Sequence, residues 1–151
     1  MRGIMENFAF EVVETARLMR REANKRAAVL GATKAQWRVL ARLSRTGDGV
    51  RQIELADALD VEPITLCRMI DRLEEAGLVE RRRDGADRRA WRIHLTEAAA
   101  PVIAKLEAMG VGFNADILAG IPDADRAAAL RVLGRIRQNL DQIDQELEKA
   151  S

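Results

Sequence analysis

Six arginines, Arg81, Arg82, Arg83, Arg88, Arg89 and Arg92, stand between Val79 and Leu95 against only Glu80, Asp84 and Asp87. A guanidinium keeps its charge and presents a planar fork of N–H donors, so such a cluster suits phosphate. Just upstream, Pro63, Ile64, Thr65, Arg68 and Arg72 form a second group. There a hydroxyl and two guanidiniums can bond base edges or phosphates, and Ile64 can touch a thymine methyl. Other chemistry has little to work with. The single cysteine, Cys67, excludes an intramolecular disulfide or a cysteine-cluster metal site, and the single histidine, His94, argues against a histidine-based zinc site. There is no nucleophile elbow, no phosphate-binding glycine loop and no motif of paired carboxylates, so no catalytic residue, metal or cofactor is expected.

Those two groups need elements to hold them. The chain has 151 residues, 48% hydrophobic and 32% charged, which fits one globular domain with helical extensions. No run approaches the roughly 18 consecutive apolar residues of a membrane helix, and MRGIMENFAF lacks a signal core. A cytoplasmic protein with no membrane partner is expected. The net charge of +1, from 25 basic and 24 acidic residues, gives no reason to expect nucleic acid. The distribution of charge must carry that case.

From about Glu6 to Val29, Phe8, Val12, Ala16, Met19 and Ala23 recur at helical spacing, and Gly31 stops the helix. Thr33 and Gln36 read as a capping box for a second helix that turns Trp37, Leu40 and Leu43 inward. After the turn Thr46–Gly49, a short helix over Arg51–Leu59 carries Ile53, Leu55, Ala56 and Leu59 and ends near Asp60. Another begins at once, with Glu62 ahead of Pro63 at the first position, Leu66, Ile70 and Leu73 as the inner stripe, and Gly77 as the cap. Two strand-length runs, 78–83 and 88–95, then flank a turn containing Asp84-Gly85, the only sheet expected. Thr96 reads as the cap of a helix to about Leu118, interrupted at Gly110 and Gly112. Ile121-Pro122-Asp123 opens a last helix to about Lys149. In it Ala129, Leu133, Ile136, Leu140, Ile143 and Leu147 alternate spacings of four and three, the period of a helix–helix seam.

The fold class expected is therefore mainly α with a small β-hairpin wing, a winged helix-turn-helix whose second helix, near residues 62–76, enters the major groove. Arg68 and Arg72 alone read better as a solvated face beside Asp71, Glu74 and Glu75 than as DNA contacts. The arginine hairpin near 79–95 shifts that balance, because a protruding cationic tip suits phosphate and a narrow minor groove.

From Leu55 to Thr96 the chain resembles the MarR (multiple-antibiotic-resistance regulator) family of bacterial transcription factors. Leu55-Ala56, Thr65, Arg68, Asp71-Arg72-Leu73-Glu74, Gly77-Leu78-Val79, Arg81, Asp87-Arg88-Arg89 and Leu95-Thr96 carry the resemblance, and the flanking helices extend it over nearly the whole chain. It implies a single domain over 1–151. Dimerisation helices would lie at about 6–30 and 97–151, and a DNA-binding lobe at about 33–95. Partners would be a second copy, joined through Phe8, Val12, Leu133, Ile136, Leu140, Ile143 and Leu147, and an inverted-repeat operator in double-stranded DNA. A repressor released by a small, phenolic or aromatic effector is the implied function. The resemblance also places Arg89 in the minor groove with Asp87 orienting it, Arg88 on a phosphate, and Arg81 and Arg83 among the wing contacts.

Two departures stand out. Glu62 occupies a position where many members carry a serine that touches phosphate; a glutamate can cap there but repels phosphate. Ala98-Ala99-Ala100 replaces a frequent glycine and strengthens the helix. Cys67 lies where many members have threonine and raises a redox-responsive alternative. Peroxide-sensing members resemble one another in a first-helix cysteine, which residues 6–29 lack. His94 reads as a strand-packing residue, and Trp37, Met19 and Met109 as core rather than ligand contacts. The remaining alternative is a winged-helix interaction module that docks acidic protein surfaces through its hairpin.

Overall fold

The computed structural model describes residues 7–150, so the expected start at Glu6 lies outside them. Helix α1 (Phe8–Val29) ends where Gly31 takes φ +79°, letting Ala32 N–H bond back to Ala27. Helix α2 (Lys34–Thr46) begins with the expected capping box: Gln36 N–H donates to Thr33 Oγ1 at 3.2 Å and Thr33 N–H to Gln36 Oε1 at 3.1 Å. Strand β1 (Val50–Arg51) leads into α3 (Gln52–Ala58), and Asp60, at φ +52°, turns the chain into α4 (Pro63–Glu75). Pro63 sits in the first turn as expected. Glu62 precedes it without a side-chain cap bond, so the capping expected of its carboxylate is not made. Gly77, at φ +75°, closes α4, with Leu78 N–H reaching Leu73.

The core gathers one face from each of these elements. Val39, Leu40 and Leu43 of α2, Leu55 and Ala56 of α3, and Leu66, Ile70 and Leu73 of α4 are buried together. Val79 and Ile93 join them from the hairpin below. Each large side chain so buried contributes about 1.5–3 kcal/mol of transfer free energy. Trp37 packs at the margin with its indole N–H on Asn24 Oδ1 at 2.8 Å, while Ile53 turns outward.

The hairpin is β2 (Val79–Arg83) and β3 (Trp91–Leu95), antiparallel, with Arg81 opposite Ile93 and Arg83 opposite Trp91. It is not the whole sheet, which corrects the expectation of a two-stranded wing. β1 pairs antiparallel with the other edge of β3, placing Val50 opposite Ile93, so the order is β1–β3–β2. Two residues are too few to display a period of two in the sequence.

Thr96 does not cap the following helix either. Its hydroxyl donates to Gly77 O, tying the end of β3 to the end of α4. Helix α5 (Ala99–Ile117) runs unbroken through Gly110 and Gly112. The chain divides into two compact units between Gly112 and Phe113. In the second unit Gly120 turns the backbone, and Arg126 donates to Leu118 O and Ile121 O, each at 2.7 Å. Asp123 and Asp125 then begin α6 (Asp123–Ala150), where carboxylates favour the helix N-terminus. None of α6's side chains is buried within this chain. No helix among the described residues is long and apolar enough to cross a membrane.

Candidate nucleic-acid interface

The inner stripe of α4 decides its outer one. With Leu66, Ile70 and Leu73 held in the core, helical geometry leaves Pro63, Ile64, Thr65, Arg68 and Arg72 in solvent, and all five are exposed. Among the described residues neither Arg68 nor Arg72 has an ion pair or side-chain hydrogen bond. Pro63, Gln52 and Ile53 share the walls of one cleft with Arg89 and Trp91 of the wing. The first turn of α4 and the tip of the hairpin therefore face a common space.

Seven residues, 84–90, join β2 to β3, and the device that folds them is a carboxylate. Asp84, whose side chain is only 3% exposed, accepts from Ala86 N–H at 2.8 Å and Arg51 Nε at 2.9 Å, and is ion-paired with Arg92 Nε at 3.1 Å. Gly85 has no positive φ, so the Asp-Gly pair works through the aspartate rather than the glycine. The Ala86 N–H, followed by the charges of Arg51 and Arg92, holds the Asp84 carboxyl below its ordinary value of 3.8 against the opposing effect of burial. A carboxyl lowered on folding stabilises the native state above its unfolded value and ceases to do so as pH falls through the folded value. Wild type should thus lose stability below about pH 4 more steeply than Asp84→Asn, read by chemical denaturation at each pH. Parallel stability curves would show that these bonds contribute no pH-dependent stability.

Asp87 acts differently from expectation. Its carboxylate accepts the backbone N–H of Arg89 at 2.9 Å, not the guanidinium. It fixes the turn on which Arg89 stands and does not hold the guanidinium. Arg88 and Arg89 are both exposed, and among the described residues neither guanidinium has a partner. Arg83 is positioned more firmly, 4.0 Å over the Trp91 ring with Nη1 on Arg88 O at 2.7 Å. Arg82 pairs with Glu80 on the hairpin surface.

Arg81 departs furthest from the contact expected of it. Its side chain is 13% exposed, with Nη1 on Asp71 at 2.7 Å and on Glu74 at 3.2 Å. Nε donates to Gln52 Oε1 at 3.0 Å, and Nη2 to Cys67 O at 3.1 Å. Burial opposes its charge, but Asp71 and Glu74 more than offset that and hold its pKa above the ordinary value. One guanidinium thus joins α3, α4 and β2. Cys67 Sγ lies 3.6 Å from the same Nη2. His94 sits beside Asp48, whose other oxygen accepts Leu95 N–H at 2.8 Å, an anchor at the sheet edge.

The expected seam residues are also outward. Phe8 and Val12 of α1 and Leu133, Leu140, Ile143 and Leu147 of α6 are exposed, and Ile136 is half-buried. Leu130 and Val132 add to the apolar surface of α6. Trp37 and Met109 pack against the lobe core, whereas Met19 is exposed. Sequence reasoning missed Gln52 and Asp84 as the residues that fasten the wing. An aspartate two positions before an unpaired backbone N–H was the available signal for Asp84.

A family model described as MarR family matches residues 32–91. Among solved structures, the transcriptional regulator PA3341 is 40% identical, covering 89% of this chain and 98% of its own, with a TM-score of 0.81. A MarR-family regulator from Silicibacter pomeroyi is 30% identical, with coverage of 92% and 94% and a TM-score of 0.77. A MarR regulator from Methanosarcina mazei Go1 is 26% identical, with coverage of 91% and 99% and a TM-score of 0.80.

Proposed function

We propose, on the premise that this chain belongs to the MarR family, that it is a homodimeric repressor of transcription that reads a pseudo-palindromic operator and is released by a small-molecule effector. The observation that carries the reading is the pairing of two cationic surfaces on one side of the lobe. Arg68 and Arg72 of α4, with Arg88 and Arg89 of the wing, are exposed and unpartnered among the described residues, and Pro63 and Arg89 line the same cleft. Exposed cations held on rigid elements without carboxylate partners match the demands of a phosphate backbone.

In this reading α4 enters the major groove. Thr65 and Arg68 meet base edges or phosphates, Ile64 meets a thymine methyl, and Arg72 takes a phosphate one turn later. Arg89 enters the adjacent minor groove while Arg88 and Arg83 hold the backbone beside it. Arg81 holds the lobe together instead. The lobe over about 33–95 is the reading head. The helices at about 6–30 and 97–151 pair with a second copy through Phe8, Val12 and the α6 stripe, setting two heads roughly 34 Å apart on successive turns of DNA. An effector that alters that separation costs contacts on both half-sites together.

Titration of the chain with its own upstream DNA at several salt concentrations tests this. Log affinity should fall linearly with log salt, at a slope of about −0.9 per phosphate neutralised, and a scrambled fragment should bind far more weakly. Arg89→Ala should weaken binding while the dimer persists in size-exclusion chromatography. Equal affinity for both fragments would sink the operator-specific claim.

A further inference from the structure

On the side of α1 away from Phe8, Val12 and Met19, helical spacing brings Arg17, Arg20, Arg21 and Lys25 into line. Together with Asn24 and with Lys34 from the first turn of α2, they line a broad cleft whose six side chains include none that is apolar. Arg17 is paired with Glu14. Arg20, Arg21, Lys25 and Lys34 have no carboxylate partner among the described residues. Four like charges gathered at one cleft repel one another, and an anion placed among them relieves that repulsion while gaining charge-assisted hydrogen bonds. Asn24 is already fixed by its bond to the Trp37 indole, so the floor of the cleft is held by α2.

The cleft also has a physical link to the operator-reading lobe. Arg38 of α2 donates to Leu59 O at 2.8 Å, and Arg42 to Ala58 O at 2.7 Å, so these two cations close the C-terminus of α3. Leu59 opens the turn that delivers the chain into α4. Burial lowers the pKa of Arg38, and the neighbouring charge of Arg20 lowers it further. Lys34 of the cleft and Arg38 lie one turn apart on α2, so a charge taken up in the cleft acts on the helix whose Arg38 grips the turn before α4.

We propose that this cleft binds a small, multiply charged anion of the phosphorylated or polycarboxylate class, and that its occupation alters operator binding through Arg38. The second half rests on the operator reading above; the first does not. The lining sets the class. A neutral molecule would leave four unpartnered cations repelling one another, whereas an anion with several oxygens meets several donors at once.

The test uses the full chain carrying Trp91→Phe, which leaves Trp37 as its single tryptophan. Sodium pyrophosphate and sodium citrate are titrated at ionic strength held constant with sodium chloride, and Trp37 fluorescence is followed. A saturable change is expected, and Arg20→Ala with Lys25→Ala should weaken it about tenfold or more. A response to pyrophosphate alone assigns the phosphorylated class, to citrate alone the polycarboxylate class, and to both a site that reads charge. A response equal to that of sodium chloride, or one unchanged in the double variant, overturns the site. In a second arm, with Trp91 kept, saturating anion should shift operator affinity severalfold in the unsubstituted chain and leave Arg20→Ala with Lys25→Ala unmoved. No shift in either protein overturns the coupling. If the double variant itself lowers operator affinity and its salt slope without anion, the cleft is a DNA contact and the small-anion reading falls. If no operator binds at all, the operator reading and the coupling fall together, while the fluorescence arm still decides the site.

Discussion

Arg81→Ala is expected to weaken operator binding about tenfold or more, although the side chain is turned away from the reading surface, because losing the hold on the wing forfeits contacts worth about 1–3 kcal/mol apiece. The guanidinium binds Asp71 and Glu74 on α4, the helix proposed to read the groove, Gln52 on the helix before it, and the Cys67 carbonyl. Removing it frees β2 from α4, so the tip carrying Arg88 and Arg89 no longer has a set angle to α4. The fold should survive. Asp71 and Glu74 are 53% and 43% exposed and can turn to water, so the stability cost is about 1–3 kcal/mol, mainly from the donors lost to Gln52 and Cys67. A double-mutant cycle with Arg89→Ala separates this from a direct phosphate contact. If Arg81 positions the wing, Arg89→Ala costs little once Arg81 is gone. Additive losses would show instead that Arg81 touches DNA itself, as its residue type alone suggested.

What the sequence revealed and what it hid divide along one physical line. Periodicity reports which side of an element faces the core, and so Leu66, Ile70 and Leu73 were legible and, by subtraction, the outer face with Thr65, Arg68 and Arg72. The capping box at Thr33 and the left-handed Gly77 were legible because their geometry is local. Partnership across the chain is not local. Arg81 and Arg88 are the same residue type in the same hairpin, yet one is locked between helices and the other stands in solvent. The difference is set by strand register: Arg81 lies opposite the buried Ile93, at the level of α4, whereas Arg88 lies in the turn. The Asp84 hub and the pairing of Val50 with Ile93 escaped for the same reason, since each depends on a residue more than thirty positions away.

The seam on α6 should respond most strongly of all. Leu140→Asp combined with Ile143→Asp is expected to convert the proposed dimer to a monomer in size-exclusion chromatography with light scattering. These two side chains are 54% and 51% exposed on a helix that buries none of its own residues, so a charge here costs the single chain little. A helix with so much apolar surface outward gains its stability from what covers it. In the dimer the same substitutions place unpaired carboxylates in an apolar seam, where their desolvation opposes association strongly. The effect on DNA follows from linkage of the two heads. A second head held at the correct spacing adds avidity of about 10²–10⁴, and a monomer loses that gain without losing one base contact. Affinity for a single half-site should therefore remain near the parent's, while affinity for the full inverted repeat drops to the half-site level. A variant that stays dimeric would remove α6 from the interface. One that is monomeric yet binds the full repeat undiminished would remove the two-headed geometry from the mechanism.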